Sequence, residues 1–166
     1  MRIRDERPED VQTIYDLTEA AFSGRPYGDG DEQDLINALR AAGALAVSLV
    51  AERSGEIVGH IAFSRVKIDG KEGNWFDLGP VSVWPALQSQ GIGSALIRAG
   101  LARIEALGAE GCVLLGYPSY YSRFGFLHDP RLTYKGEANP NFQQLTLNGK
   151  TPAGEVIYHP AFYGSE

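Results

Sequence analysis

The nineteen residues from Leu78 to Leu96 constrain this chain more than any other segment of it. They read as a β-branched strand that includes Val81 and Val83, a short turn from Trp84 to Gln90, and a helix opened by Gly91 and Gly93. The first N–H groups of a helix have no partner within it, and the aligned peptide dipoles leave partial positive charge there. Glycine has no Cβ, so an anion can come close to the backbone at such a place. The segment is suited to hold phosphate.

Two phosphate motifs fail on specific positions. A P-loop needs Gly-Lys-Ser/Thr, whereas Gly93 is followed by Ser94 and Ala95 with no lysine. The dinucleotide fingerprint needs a third glycine and a strand that ends at the first. Here the third place is Leu96, and Trp84 to Gln90 separate the strand from Gly91. A third pattern, Gln/Arg-x-x-Gly-x-Gly/Ala, is met by Gln88-Ser89-Gln90-Gly91-Ile92-Gly93, preceded by Val81, Val83 and Pro85 as Val-x-Val-x-Pro. This resembles the acetyl-CoA site of the GNAT N-acetyltransferases. The plainer alternative is a structural turn entering a core helix; strand, spacing and helix together favour the resemblance.

Tyr120-Tyr121-Ser122-Arg123-Phe124-Gly125-Phe126 resembles the Tyr-x-x-x-Gly-Phe segment of the same superfamily. Gly116-Tyr117-Pro118-Ser119-Tyr120-Tyr121 and Tyr158-His159-Pro160-Ala161-Phe162 look like the YhbS-like subgroup of acetyltransferases. The resemblance spans nearly the whole chain and is unspecific for the acceptor. It implies a mixed, mostly antiparallel sheet with splayed central strands flanked by helices. It also implies acetyl-CoA as co-substrate, held by the backbone of Val81, Ser82 and Val83 and by the turn Gln88, Ser89, Gln90, Gly91, Ile92, Gly93 and Ser94.

The remaining sequence agrees with that reading. A length of 166 residues suggests one domain over residues 1–166, and 43% hydrophobic residues suffice for a core. The net charge is −6 with no run of Lys or Arg, which argues against nucleic acid as a partner. One cysteine, Cys112, excludes an internal disulfide and suits a reducing cytoplasm. Met1 to Arg7 is charged, unlike a signal peptide, and the apolar run Ala44 to Ala51 is too short to span a membrane.

Along the chain we expect a strand over residues 1–6 and a helix entered at Pro8, with Val11, Ile14, Tyr15, Thr18, Ala21 and Phe22 at helical spacing. A loop with Gly24, Pro26, Gly28 and Gly30 leads to a helix over 31–42 packed through Leu35, Ile36 and Leu39. Strands over 45–53 and 56–68 enclose the turn Arg53-Ser54-Gly55-Glu56, and Gly70 and Gly73 flank the next turn. A fourth strand runs from about Asn74 to Val83, and the phosphate-turn helix ends near Leu107 with Gly108 following. Cys112 to Leu115 reads as a buried strand and Pro118 to Phe124 as a short helix. Leu132 to Tyr134, Phe142 to Leu147 and Glu155 to Tyr158 read as strands and loops. The order βααβββαβαββ is α/β with a mixed sheet. Pro80 within the fourth strand cannot donate to the ladder. It marks either an edge strand or a bulge, and the flanking valines favour a bulge; in the GNAT family such a gap lets the pantetheine arm pair with exposed strand backbone.

Acetyl transfer to an amine requires a neutral nucleophile, donors for the oxyanion and a proton for the departing thiolate. The resemblance gives the last task to Tyr121, since a phenol is protonated at neutral pH; its neighbour Tyr120 is the alternative. The base is Asp77, at a position where some relatives carry glutamate, or else a water chain. Direct transfer in a ternary complex to an unidentified primary amine is favoured over an acyl-enzyme, because no nucleophile motif is present. His60, His128 and His159 lack metal-ligand spacing and read as structural, so no metal is expected. Relatives often carry a basic residue at position 90, and this chain has Gln88 and Gln90. Arg98, Arg103 and Arg123 are candidates for the ribose phosphate. Asp29, Asp31, Glu32 and Asp34 either attract a cationic acceptor or favour a helix N-terminus. The rival reading is a GNAT-fold module that binds acyl-CoA without turnover; the sequence leaves a homodimer open.

Overall fold

The computed structural model of the protein describes residues 1–25, 30–137 and 139–163. Strand β1 (Arg2–Asp5) is followed, after a single 3-10 turn at Pro8–Asp10, by α1 (Val11–Phe22) and α2 (Glu32–Ala41). Then come β2 (Val47–Arg53), β3 (Glu56–Ile68), β4 (Lys71–Val83), α3 (Ile92–Ala106), β5 (Gly111–Leu115) and α4 (Pro118–Tyr121). Strands β6 (Leu132–Tyr134), β7 (Phe142–Thr146) and β8 (Gly154–Ile157) complete the chain. The strands lie in the order β1-β2-β3-β4-β5-β7, and β8 pairs with the far end of β3 and with β6. Among the described residues only β4–β5 and β6–β8 are parallel, so the sheet is mixed and mostly antiparallel, with helices on its faces.

The expected elements recur with two differences. Three strands, rather than two, follow α4. Strand β4 begins at Lys71, because Asp69 and Gly70 (φ 51° and 74°) make the turn by themselves and exposed Gly73 lies within the strand. Alternating residues of β3 and β4 face α3: Ile61, Phe63, Phe76, Leu78 and Val83 join Leu96, Ile97 and Ile104 of α3 in the largest core cluster. Ile14 of α1 and Ile36 of α2 cover Val50 on the other face. Trp75, Val113, Phe142, Val156 and Tyr158 form a second cluster, in which the C-terminal strands close the core. Leu17, fully buried, belongs to the apolar stripe of α1 together with Ile14, Thr18 and Ala21.

Close approach of α3 to the sheet depends on Gly100. A Cβ there would lie 2.2 Å from Cε1 and 2.6 Å from Cζ of fully buried Phe63. Overpacking of a filled core costs about 1–3 kcal/mol. Gly100→Ala is therefore expected to lower the thermal midpoint measurably, and an unchanged melting curve would contradict this packing.

The fourth strand is irregular where Pro80 stands. Ile61 pairs with Val81 but Phe63 pairs with Leu78, so β4 spends one more residue than β3 across Gly79 and Pro80. This is the bulge expected from the sequence, next to a cis Gly79–Pro80 peptide. Because strand side chains alternate with period two, the extra residue shifts their phase. Asp77 and Ser82, five apart, therefore share one face, opposite Ser64 and His60. Val81 and Val83 share the α3 face with Phe76 and Leu78.

Candidate active site

Strands β4 and β5 are paired only through Trp75–Gly111, Phe76–Cys112 and Asp77–Val113. Beyond this point β5 continues alongside β7 as far as Leu115–Phe142. Strand β4 continues alongside β3 as far as Val83. The two strands diverge from Asp77 and Val113 onward, and the β5-facing edge of Leu78–Val83 keeps unpaired backbone groups. An exposed edge of this kind is a template for an added extended segment.

That edge leads directly into the glycine turn. Residues 85–87 form one 3-10 turn after Trp84. Gln88 donates to the Val83 carbonyl at 3.1 Å, which folds the turn back on the strand. Ser89 (φ 64°) and Gly91 (φ 86°) are both left-handed. Gly91 is thus required by its backbone, since a residue with a Cβ is strained there. Gly93 has no such φ; a Cβ at its position would meet only the Tyr120 hydroxyl at 3.8 Å and a Val83 methyl at 3.9 Å. Its smallness keeps the space in front of the helix open. Val81 and Val83 on the strand and Gln88, Ser89, Gln90, Gly91, Ile92, Gly93 and Ser94 in the turn thus follow one another from strand edge to helix start. The Ser82 side chain points the other way, is buried, and can contribute only its backbone. Ile92 is a core residue, so it too contributes backbone alone.

The two tyrosines separate in role. Tyr120 exchanges a 3.0 Å hydrogen bond with Ser94 in the first turn of α3. Tyr121 packs edge-on to Tyr120 and Phe126, against the place where a Gly116 Cβ would stand. Burial above all, then Tyr120 and Asp77, raise the Tyr121 phenol above its ordinary value, so it stays protonated at neutral pH. Asp77 occupies the point of divergence, 3% exposed. Burial pushes its carboxyl up to about 8, against a weaker opposing pull from the Tyr158 hydroxyl. A buried carboxyl moved into the physiological range is a group suited to acid–base chemistry.

Other candidate groups fall away from this place. Arg103 lies in the last turn of α3 and pairs with Asp5 at 2.6 Å. Arg98 and Arg123 stack on Phe124 and Tyr120 at 4.9 and 4.5 Å, close to the helix start. Glu32 and Asp34 lie in the first turn of α2, where acids complement the positive helix end. Asp34 also accepts a hydrogen bond from Tyr15, and Asp29 lies outside the described residues. His60 is fully buried, with Nε2 2.7 Å from Ser48 Oγ. Burial pushes it down to about 4, although Glu6 pulls the other way. The Glu6–Ser48–His60 chain, with Arg40 on Glu6 at 2.7 Å, was not apparent from the sequence. Successive members are 42 and 12 residues apart, so the chain of contacts forms only in the folded protein. Among the described residues no group of three or more His, Cys, Asp or Glu is arranged to hold a metal.

A split mixed sheet whose fourth strand passes through a glycine turn into a helix defines an acetyltransferase class, and comparison with known proteins agrees. The chain belongs to the GNAT family: the acetyltransferase (GNAT) domain matches residues 2–128. It is 34% identical to the N-acetyltransferase YhbS of Escherichia coli K12 over 98% of both chains. The crystal structure of a GNAT acetyltransferase from Brucella melitensis in complex with acetyl-CoA is 50% identical over 97% of both chains, with a TM-score of 0.86. The crystal structure of Escherichia coli YhbS in complex with CoA is 32% identical over 98% of this chain and 91% of that one, with a TM-score of 0.88.

Proposed function

We propose that residues 1–166 form one cytoplasmic acetyltransferase domain that moves acetyl from acetyl-CoA directly to a primary amine within a ternary complex. The observation that carries this reading is the unpaired edge of β4, which begins at Leu78, just past the last β5 pairing at Asp77, and leads into the turn 88–94. The N–H groups of that turn hold the phosphates, and alternate backbone groups of Leu78–Val83 pair with the pantetheine amides. Complexes of relatives with acetyl-CoA and CoA support acetyl-CoA as the co-substrate.

The thioester supplies an electrophilic carbonyl carbon and a good leaving group. A strand N–H near Val81–Val83 donates to the carbonyl oxygen as negative charge develops on it. The amine nitrogen bonds to the carbonyl carbon, and the ammonium proton passes to Asp77 in the molecules whose carboxyl, raised to about 8, is ionised. As the carbon–sulfur bond breaks, Tyr121 gives its hydroxyl proton to the thiolate. Release of free CoA thiol in the presence of polyamines, amino acids, aminoglycosides and peptide N-termini tests the reading. Intact CoA binding without turnover of any amine in that panel would make the protein a binding module.

Asp77→Asn tests the base in two ways. An amide cannot accept the ammonium proton, so the rate should fall near neutral pH and recover partly at higher pH, where more amine is already neutral. Stability gives an independent check. The folded carboxyl holds its proton up to about 8, whereas an unfolded one releases it near 3.9. The folded state binds more protons across that window, so stability is lost as pH rises through it. The slope should flatten in Asp77→Asn, as read by thermal melts at about pH 5 and about pH 9. An equal slope in both proteins would mean that Asp77 is ionised throughout.

A further inference from the structure

The turn 88–94 carries no cation of its own, because positions 88 and 90 are both glutamine. Gln88 is turned inward onto Val83. Gln90 is exposed, and its Oε1 lies 3.5 Å from Nη1 of Arg53. At that length the contact is weak; its significance is where it stands. Arg53 ends β2 and leads into Ser54 and Gly55 (φ 54° and 79°), a two-residue hairpin turn of the type in which both central residues are left-handed. The start of the phosphate turn is fastened to the same hairpin. Trp84 donates from Nε1 to the Ile57 carbonyl at 3.1 Å and from its backbone N–H to the Val58 carbonyl at 3.3 Å. Two segments remote in sequence are thus fixed side by side, with a guanidinium of one beside the turn of the other.

That guanidinium is uncommitted. Arg4, Arg40, Arg103 and Arg131 each pair with a carboxylate. Arg53 forms no ion pair among the described residues, although Glu56 stands opposite it in register. A guanidinium is always charged and presents a fork of donors that matches phosphate.

We infer that Arg53 is a coenzyme-binding residue, supplying from the β2–β3 hairpin the positive charge that the glycine turn lacks, to a phosphate group of CoA. This rests on the reading that the turn 88–94 holds CoA. Calorimetric titration of CoA and of dephospho-CoA into wild type, Arg53→Gln and Gly93→Val tests it. Arg53 is exposed, so Arg53→Gln should fold normally and bind CoA about tenfold more weakly, as expected for loss of a charged contact. The loss should shrink as salt is added. A loss confined to CoA identifies the 3′-phosphate as the partner; an equal loss with dephospho-CoA identifies the diphosphate. Unchanged affinity of Arg53→Gln for both ligands overturns the inference. If Gly93→Val then still abolishes binding, the turn holds CoA without Arg53. If Gly93→Val is also without effect, the turn assignment itself fails.

Discussion

Tyr121→Phe should lower kcat by roughly 10²–10⁴-fold while CoA binds as before, the range expected for loss of a general acid. The substitution removes one oxygen. The ring contacts with Tyr120, Phe124 and Phe126 persist, so the short helix should stay in place. The proton is available to give, because burial above all holds the phenol protonated. A general acid acts as the carbon–sulfur bond breaks, so the defect belongs in kcat rather than in coenzyme affinity. Tyr120→Phe is the matched control. Its hydroxyl is engaged with Ser94 at the start of α3, so its loss should appear chiefly in CoA binding. Single-turnover measurements with a good acceptor separate the two. An unaffected kcat in Tyr121→Phe would transfer the acid role elsewhere.

The second large effect is expected at the glycine turn. Gly93→Val puts a branched side chain into the space before the helix N–H groups, where the Cβ itself has only ordinary contacts. Binding of CoA should fall on the order of 10²-fold or more, because several charge-assisted hydrogen bonds are blocked together. Gly91→Val should lose binding too, and stability with it. A β-branched residue at φ 86° is strained whatever the space around it. Calorimetry and thermal melts on both variants should therefore divide: lost affinity in each, a lowered midpoint only in Gly91→Val. Unchanged affinity in both would remove the coenzyme from this turn.

Much of this was legible in the sequence, for physical reasons that can be named. The turn 88–94 and Tyr121 lie within short contiguous motifs, where local chemistry dictates local geometry. The hairpin at Ser54 and Gly55 was equally plain, because so few residues accept two left-handed positions in succession. Gly73 resembles a turn residue in sequence, so the start of β4 at Lys71 emerges only from its pairing with β3. Nothing local distinguishes Tyr120 from Tyr121 as a partner for Ser94; that depends on how α4 meets α3. Nothing local marks Arg53, which lies 37 residues from Gln90 in the chain. Arg103 looked as eligible as Arg98 until the helix placed it at the far end, on Asp5. The raised Asp77 carboxyl is a property of burial, which no single residue announces.

The bulge at Gly79 and Pro80 acts on the fourth strand as an inserted base acts on a reading frame. Every residue upstream is read as inside or outside in one register, and every residue downstream in the other. Deleting one residue at the bulge would leave composition, length and local propensity almost untouched. It would nevertheless turn Asp77 and Trp75 towards α3, or Val81 and Val83 away from it, depending on which half kept its pairing with β3. Other insertions and deletions along the chain need only be accommodated; this one changes the meaning of the letters around it. The bulge should tolerate neither gain nor loss of a residue.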